Sequence, residues 1–397
     1  MQAVNHFDLD TVVNRKNTGN LKEILTPDNV KSAGLLAFNA AEMDFLTAPS
    51  VIDAMVSCAK SGLYGFTLCD NAYLNAVRDW MLHVRRQKIE PDWIVPTLGT
   101  IFSVATCIRM CVGEGQNIIV QPPAYNRYKQ AADRIGRGTV FNPLVRNSDG
   151  SYTIDMADLV RKMSNPANRL LVICNPHNPT GSVWPREVLE ETAALAVKYD
   201  VVVYSDEIFA DYSFTGEPVP MFCSLLSGKN NGISATGLGK TFNFTGANHA
   251  NMLIADSDLR ERFIHQKYSD HYGSLEPMHR AALLGAYCEA GMAWKDSVQE
   301  LIWENYTKVR EFFAETLPQV TVSPLQGGYV IWLDWSNLTD SKAEKLMTDA
   351  KLILETGSDF GVERGMFTRM NIATPRHVLE GALERLKQAV SKLTFHI

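Results

Sequence analysis

The sequence lacks the patterns that mark membrane, secreted and nucleic-acid-binding proteins. It contains no run of about 18 apolar residues, so no transmembrane helix is predicted. The first residues, MQAVNHFDLDTVVNRKN, do not have the basic-then-apolar order of a signal peptide. The net charge of −6 gives no overall basic field for nucleic acid. We therefore expect a soluble, cytoplasmic protein that binds neither membranes nor nucleic acid.

Cysteine and metal-ligand patterns are also sparse. The seven cysteines are an odd number and are scattered along the chain, which favours free thiols in a reducing compartment over disulfides. Cys107 and Cys111 are four residues apart, but no His or Cys partner lies near them in the sequence. None of the nine histidines forms an HExxH pair. No metal site is predicted.

The 397 residues suffice for two or three domains, and 46% hydrophobic with 21% charged residues is typical of a folded globular protein. The middle of the chain alternates short β-rich runs with amphipathic helical stretches. Strands are predicted at 93–96, 117–121, 170–174, 201–205 and 232–236. Helices are predicted at 101–112, 125–136, 155–163 and 185–199. Continuously apolar strands in this alternation favour an α/β fold with a mostly parallel sheet covered by helices on both faces.

The pattern changes after about residue 290. A long helical stretch at 294–317 ends before Pro318, and a strand, a Gly-Gly turn, a second strand at 329–334, a helix, a strand near 368–372 and a final helix follow. This order favours a smaller α+β unit on which the first 47 residues pack. We expect a large domain at 48–292 and a small domain formed by 1–47 and 293–397.

Ligands of parallel sheets bind beyond the carboxyl ends of the strands, and several strand ends here carry polar or conformationally special residues. The proline-rich loop NPHNPTG at 175–181 follows one predicted strand, and Asp206 ends the next. Lys240 stands between glycines after a third strand, in GLGKT. Gly99 and Thr100 begin a helix whose N–H groups can bind phosphate.

The sequence Gly-Lys-Thr also occurs in the P-loop of nucleotide-binding proteins, but the rest of the P-loop pattern is not present here. The first glycine of such a loop would fall at Ser234, and the acidic strand precedes the lysine instead of following it. The residue set matches the needs of a pyridoxal phosphate enzyme instead. Lys240 can form the Schiff base and Asp206 can pair with the pyridine nitrogen. Gly99 and Thr100 can bind the phosphate, and Tyr125 can stack on the ring.

The motifs resemble those of fold-type I pyridoxal phosphate enzymes of aminotransferase class I/II, and within them the MalY/PatB group of cystathionine β-lyase-like C–S lyases. The resemblance extends from residue 7 to the final helix. The matching stretches are EMDF (42–45), GLYGF (62–66), IEPDWI (89–94), NPHNPTG (175–181), SDEI (205–208), KTFN (240–243), GYVIWLD (328–334) and RMN (369–371).

The resemblance implies a role for each matching residue. Lys240 would carry the cofactor and act as the base at Cα, and Asp206 would hold the pyridinium nitrogen. Asn178 would bind the ring oxygen. The other implied contacts are a ring stack by Tyr125, a phosphate contact by Tyr64 in the neighbouring subunit of a homodimer, a substrate carboxylate clamp by Arg369 and a substrate contact by Asp44.

The chain departs from the family pattern at three positions. Gly237 stands where a phosphate-binding serine is usual, Asn248 where a basic residue is frequent, and Phe209 where a Tyr or His normally contacts the ring oxygen. Cofactor binding is therefore expected to be weakened or rewired, with His249 or Asn248 as partial replacements.

The expected reaction is α,β-elimination on L-cystathionine or a related L-cysteine S-conjugate, giving thiol, pyruvate and ammonia. Two alternatives stay open at this point. One is transamination between an amino acid and a 2-oxoacid. The other is a regulatory or binding protein that keeps the fold with weak turnover.

Overall fold

The computed structural model describes residues 7–20, 22, 34, 36–362 and 366–394. Within them the α-helices are α1 (Pro49–Ser61), α2 (Asn71–His83), α3 (Thr100–Cys111), α4 (Arg127–Ile135), α5 (Met156–Met163), α6 (Arg186–Tyr199), α7 (Leu238–Thr241), α8 (Ser257–Ser269), α9 (Pro277–Ala286), α10 (Glu289–Thr316), α11 (Asp340–Ala350) and α12 (Arg376–Thr394). The strands are β1 (Leu36–Ala37), β2 (Ile94–Thr97), β3 (Asn117–Val120), β4 (Gly138–Phe141), β5 (Val145–Arg146), β6 (Tyr152–Thr153), β7 (Asn168–Cys174), β8 (Val202–Asp206), β9 (Gly232–Thr236), β10 (Ala250–Leu253), β11 (Thr321–Val322), β12 (Val330–Asp334), β13 (Leu352–Ile353), β14 (Glu355–Thr356) and β15 (Phe367–Asn371).

The central sheet has the order β2-β10-β9-β8-β7-β3-β4 among the described residues. Its strands pair in parallel from β4 through β9, and β10 runs antiparallel to both β9 and β2. Alternate residues of β7 enter two apolar clusters: Leu170 and Val172 pack with α3, α4 and α8, while Leu171 and Ile173 pack with α5 and α6. The predicted parallel sheet with helices on both faces is confirmed.

The five predicted strands all occur, with ends within two residues of those expected. Two further strands of the sheet, β4 and β10, were missed. β10 reads Ala-Asn-Met-Leu and is short and partly polar, so it lacks the apolar run by which its neighbours were found. The long helix was predicted from residue 294 but begins at Glu289.

A second sheet, in the order β11-β12-β15-β14 within the described ranges, is antiparallel throughout. It places Arg369 on β15 between Trp332 of β12 and Glu355 of β14. Phe242 stacks on Trp294 at a ring distance of 5.5 Å, so the apolar core is continuous across the predicted boundary near residue 292. The division into two domains stays a prediction.

β8 ends at Asp206, and Glu207 follows directly after it. Each of these two carboxylates has its own set of hydrogen-bond partners. Glu207 is buried, and its Oε2 accepts a hydrogen bond from Arg85 Nη2 at 2.9 Å. Its Oε1 accepts from Ser234 Oγ at 2.7 Å and from the Phe222 N–H at 2.9 Å. Removal of one partner from such a buried ion pair costs about 3–5 kcal/mol of stability. These bonds fix the end of β8 and thereby the neighbouring residue, Asp206.

In the part of the chain that the structure describes, no helix is both long and apolar enough to span a bilayer. The seven cysteines are free thiols, and Cys107, Cys174 and Cys223 are buried. Among the described residues no group of three or more His, Cys, Asp or Glu side chains is arranged to hold a metal ion.

Candidate active site

A cavity of about 960 Å³ opens at the carboxyl ends of the parallel strands. Of the nine residues to which the sequence analysis gave a cofactor or substrate role, seven line it: Gly99, Thr100, Tyr125, Asn178, Asp206, Lys240 and Arg369. They come from the start of α3, the loops after β3 and β7, the end of β8, the helix after β9 and the centre of β15. Residues 270 positions apart along the chain are therefore brought to one site by the sheet topology.

The amine of Lys240 is held in the cavity by two oxygens. Its Nζ donates to the carbonyl oxygen of Ala41 at 2.8 Å and to Thr245 Oγ1 at 3.2 Å. Burial, together with the nearby positive charge of Arg369, lowers the pKa of Lys240 to about 8. An amine with this pKa is unprotonated in part of the molecules near neutral pH, and so it can act as a nucleophile or base.

The residues after Lys240 anchor the short helix α7 that carries it. Thr241 Oγ1 donates to Asp211 Oδ2 at 2.7 Å, and the hydroxyl of Tyr212 donates to the Thr241 carbonyl at 2.7 Å. Asn243 accepts from the Met43 N–H at 2.9 Å and donates back to the Met43 carbonyl. The KTFN motif thus ties the lysine to two different parts of the chain.

Asp206 lines the same cavity and is nearly inaccessible to solvent. Its Oδ2 accepts from the hydroxyl of Tyr128 at 2.9 Å, and its Oδ1 accepts a weaker bond from the Ile208 N–H at 3.3 Å. Burial raises the pKa of Asp206 to about 6 in spite of these bonds. A carboxylate has about four acceptor sites, so Asp206 can accept a further N–H from a bound group. A cation there would lower its pKa again.

Sequence reasoning missed Tyr128, which lies three residues after Tyr125 at the beginning of α4. The two rings meet edge to face at 5.7 Å, so Tyr128 supports the ring of Tyr125 as well as binding Asp206. One helical turn separates the two tyrosines, and that spacing was the available signal.

Arg369 and Asn178 are joined directly. Arg369 Nη1 donates to Asn178 Oδ1 at 2.6 Å, and this leaves the amide N–H groups of Asn178 as donors toward the cavity. Arg369 Nη2 also forms an ion pair with Glu355, a cavity residue that sequence reasoning did not select. The guanidinium carbon lies 4.9 Å from the centre of the Phe360 ring.

One end of the cavity is suited to an anion. The first N–H groups of α3 have no intrahelical acceptor, and Gly99 has no side chain with which to cap them. Gly99 has φ of +94°, a backbone conformation that favours glycine. His249 lines this end, and its Nε2 lies 2.8 Å from the hydroxyl of Tyr73, which itself donates to Asn251 Oδ1 at 2.6 Å. Arg127 lies at the exposed rim.

The structure explains one of the three departures from the family pattern. A Cβ atom added at Gly237 would lie 3.1 Å from both Ala250 Cα and the His249 carbonyl oxygen. A serine would therefore press against the backbone of the neighbouring strand. Asn248 and Phe209 both line the cavity, and Phe209 brings no polar side-chain atom to it.

Two predicted site residues lie elsewhere. Asp44 is absent from the cavity wall, and its Oδ1 accepts from Arg15 and from Lys22, each at 2.9 Å. Tyr64 is 60% exposed and outside the cavity of its own chain, and its hydroxyl donates to the Ala59 carbonyl at 2.8 Å. The roles given to both residues stay predictions.

The arrangement fits pyridoxal phosphate by its donor set. A partly buried amine and a buried carboxylate line one cavity, an aromatic ring packs on the tyrosine that binds that carboxylate, and uncapped helix N–H groups form an anion seat. These are the four groups that this cofactor needs from a protein.

The lowered pKa of Lys240 can be measured in the cofactor-free protein. Only the neutral amine reacts with acylating reagents, so the reaction rate at Lys240, followed by peptide mass spectrometry, should reach half its plateau near pH 8. In denaturant, where burial is lost, the same lysine should titrate near the ordinary value of about 10.4. A midpoint near pH 10 in the folded protein would contradict the electrostatics described above.

Comparisons with known proteins agree with this geometry. The family described as aminotransferase class I and II matches residues 33–386. Cystathionine beta-lyase PatB of Bacillus subtilis is 30% identical over 355 residues, covering 88% of this chain and 91% of PatB. Protein MalY of Escherichia coli is 28% identical, covering 97% of this chain and 99% of MalY. The crystal structure of cystalysin from Treponema denticola, which contains pyridoxal 5'-phosphate, superposes with a TM-score of 0.91 at 28% identity over 98% of this chain and 100% of cystalysin. The chain belongs to the aminotransferase class I and II family.

Proposed function

We propose that this protein is a pyridoxal phosphate-dependent C–S β-lyase. With L-cystathionine as substrate, one water is consumed and homocysteine, pyruvate and ammonia are released. Support comes from the family, and from relatives named cystathionine beta-lyase that match most of the chain. The observation that carries the proposal is the partly buried Lys240 amine, which shares one cavity with Asp206 and Arg369.

The cofactor supplies an electron sink for the electron pair left at the substrate Cα when its proton is removed. Lys240 would take up that proton, because its lowered pKa makes a neutral amine available near pH 8. Asp206 would keep the pyridine nitrogen protonated, and Tyr128 would hold the Asp206 carboxylate in position by its hydrogen bond.

The remaining residues would bind the substrate and the rest of the cofactor. Arg369 would bind the substrate α-carboxylate, and Asn178 would donate a hydrogen bond to the ring oxygen of the cofactor. The anion seat at Gly99 and Thr100 would bind the phosphate.

Elimination and transamination can be separated by their need for a 2-oxoacid. The purified protein, supplied with pyridoxal phosphate and L-cystathionine, should release pyruvate and thiol in equal amounts without any keto-acid acceptor. Lys240→Ala should lower this rate about 10²–10⁴-fold, as expected for loss of a general base. The exposed Lys229 offers a matched control, and Lys229→Ala should keep the wild-type rate. Turnover that strictly requires a 2-oxoacid would favour an aminotransferase.

We also propose that the protein acts as a homodimer. The segment 62–68 presents Leu63, Tyr64, Phe66 and Leu68 to solvent with exposed fractions of 77%, 60%, 100% and 75%. Contiguous apolar surface of this kind is unusual on a monomer. A second copy of the chain is the proposed occupant, because Tyr64 is expected to reach the phosphate in the neighbouring subunit's cavity.

Sedimentation velocity tests this assembly. The wild-type protein should sediment as a dimer, and Phe66→Asp should shift it toward the monomer because a charge would be buried at the interface. Val197, 51% exposed on α6, provides a matched control, and Val197→Asp should leave the dimer intact. A wild-type monomer at micromolar concentration would contradict the proposal.

A further inference from the structure

The ion pair between Arg369 and Glu355 is built into the smaller sheet. Glu355 lies directly opposite Arg369 across the β14–β15 ladder, so the backbone holds its carboxylate beside the guanidinium group. The Arg369 side chain is 4% exposed and that of Glu355 is 28% exposed, and both line the cavity. Glu355 is therefore the more accessible of two groups that meet at the expected position of the substrate carboxylate.

The existing contacts of the Arg369 guanidinium group limit how a substrate carboxylate can bind to it. Arg369 uses Nη1 to bind Asn178 and Nη2 to bind Glu355, while its Nε is buried and has no hydrogen-bond partner among the described residues. A substrate α-carboxylate that binds the guanidinium must share it with Glu355 or displace it. Displacement leaves the Glu355 carboxylate in a partly buried site without its counter-charge, which is unfavourable unless another cation replaces Arg369.

Arg127 and Arg134 also line the cavity, but both are exposed to solvent, which screens their charges, so the less exposed charges decide the need for a cation. Glu42 and Glu355 both line the cavity, and both act on Lys240 by raising its pKa against the lowering effect of Arg369. Lys22, which also lines the cavity, is paired with Asp44. An incoming α-carboxylate adds a further negative charge. A positive group on the substrate side chain would restore the balance.

We propose that Glu355 is a specificity-determining residue: it holds Arg369 in place before substrate binds and then binds a cationic group on the substrate side chain. The preferred substrates are L-cysteine S-conjugates whose sulfur substituent carries an ammonium or other cation. This inference rests on the proposed lyase function. L-Cystathionine, with its distal ammonium group, belongs to this class.

A pair of isosteric conjugates tests the inference. S-(2-aminoethyl)-L-cysteine and S-propyl-L-cysteine differ only by an ammonium in place of a methyl group. The wild-type holoenzyme should prefer the aminoethyl conjugate by about tenfold or more in kcat/KM, the range expected for one charge-assisted hydrogen bond. Glu355→Gln should bring the ratio near one, mainly by raising KM for the cationic conjugate, and Glu355→Asp should keep part of the preference.

A binding measurement separates this inference from the lyase function. L-Ornithine and L-norleucine have no leaving group, so their equilibrium binding to the holo-protein, followed by the absorbance of the bound cofactor, is independent of elimination. Wild-type protein should bind ornithine more tightly, and Glu355→Gln should lose that preference. An unchanged preference in Glu355→Gln, or its loss in Glu42→Gln alone, would overturn the role of Glu355. Absence of pyruvate from every conjugate, with the ornithine preference intact, would reject only the lyase reaction.

Discussion

The buried carboxylate of Asp206 is the constraint on which the site depends. A carboxylate at the end of a buried strand is costly unless hydrogen-bond donors surround it, and here Tyr128 and the backbone supply them. The next residue, Glu207, faces a separate buried arginine, so the two acids are held apart by different partners. With Asp206 fixed, the cavity gains an acceptor for a cationic ring nitrogen, and the same cavity holds the amine of Lys240, whose pKa is lowered by burial.

The fold could be predicted where the sequence is continuously apolar. The runs LLVIC and VVVYS identified the central strands, and the parallel arrangement followed from their alternation with helices. β10 could not be found in this way, because Asn251 interrupts its apolar run and its antiparallel pairing depends on tertiary contacts with β2 and β9. The beginning of α10 was placed late for a related reason: its first turn contains glycine and small residues with weak helical periodicity.

Much of the candidate site was also predictable, because strand ends and rigid loops concentrate polar residues that have few other uses. Lys240, Asp206, Asn178 and Arg369 were selected from the sequence and share one cavity. The supporting contacts were not predictable. Ala41 holds the lysine through its backbone carbonyl, which no side-chain pattern reveals, and Glu355 meets Arg369 only through the register of β14 and β15. The ion pairs of Asp44 with Arg15 and Lys22 were likewise not visible in the sequence, and its role toward the substrate stays a prediction.

Lys240 is the residue expected to carry the cofactor, and its covalent attachment can be measured directly. Pyridoxal phosphate is added to purified protein, the bond to the lysine is reduced with borohydride, and the modified peptide is identified by mass spectrometry. We expect one modified site, at Lys240, together with loss of the cofactor absorbance band in Lys240→Ala. Attachment at a different lysine, or an unchanged band in the variant, would contradict this role of Lys240.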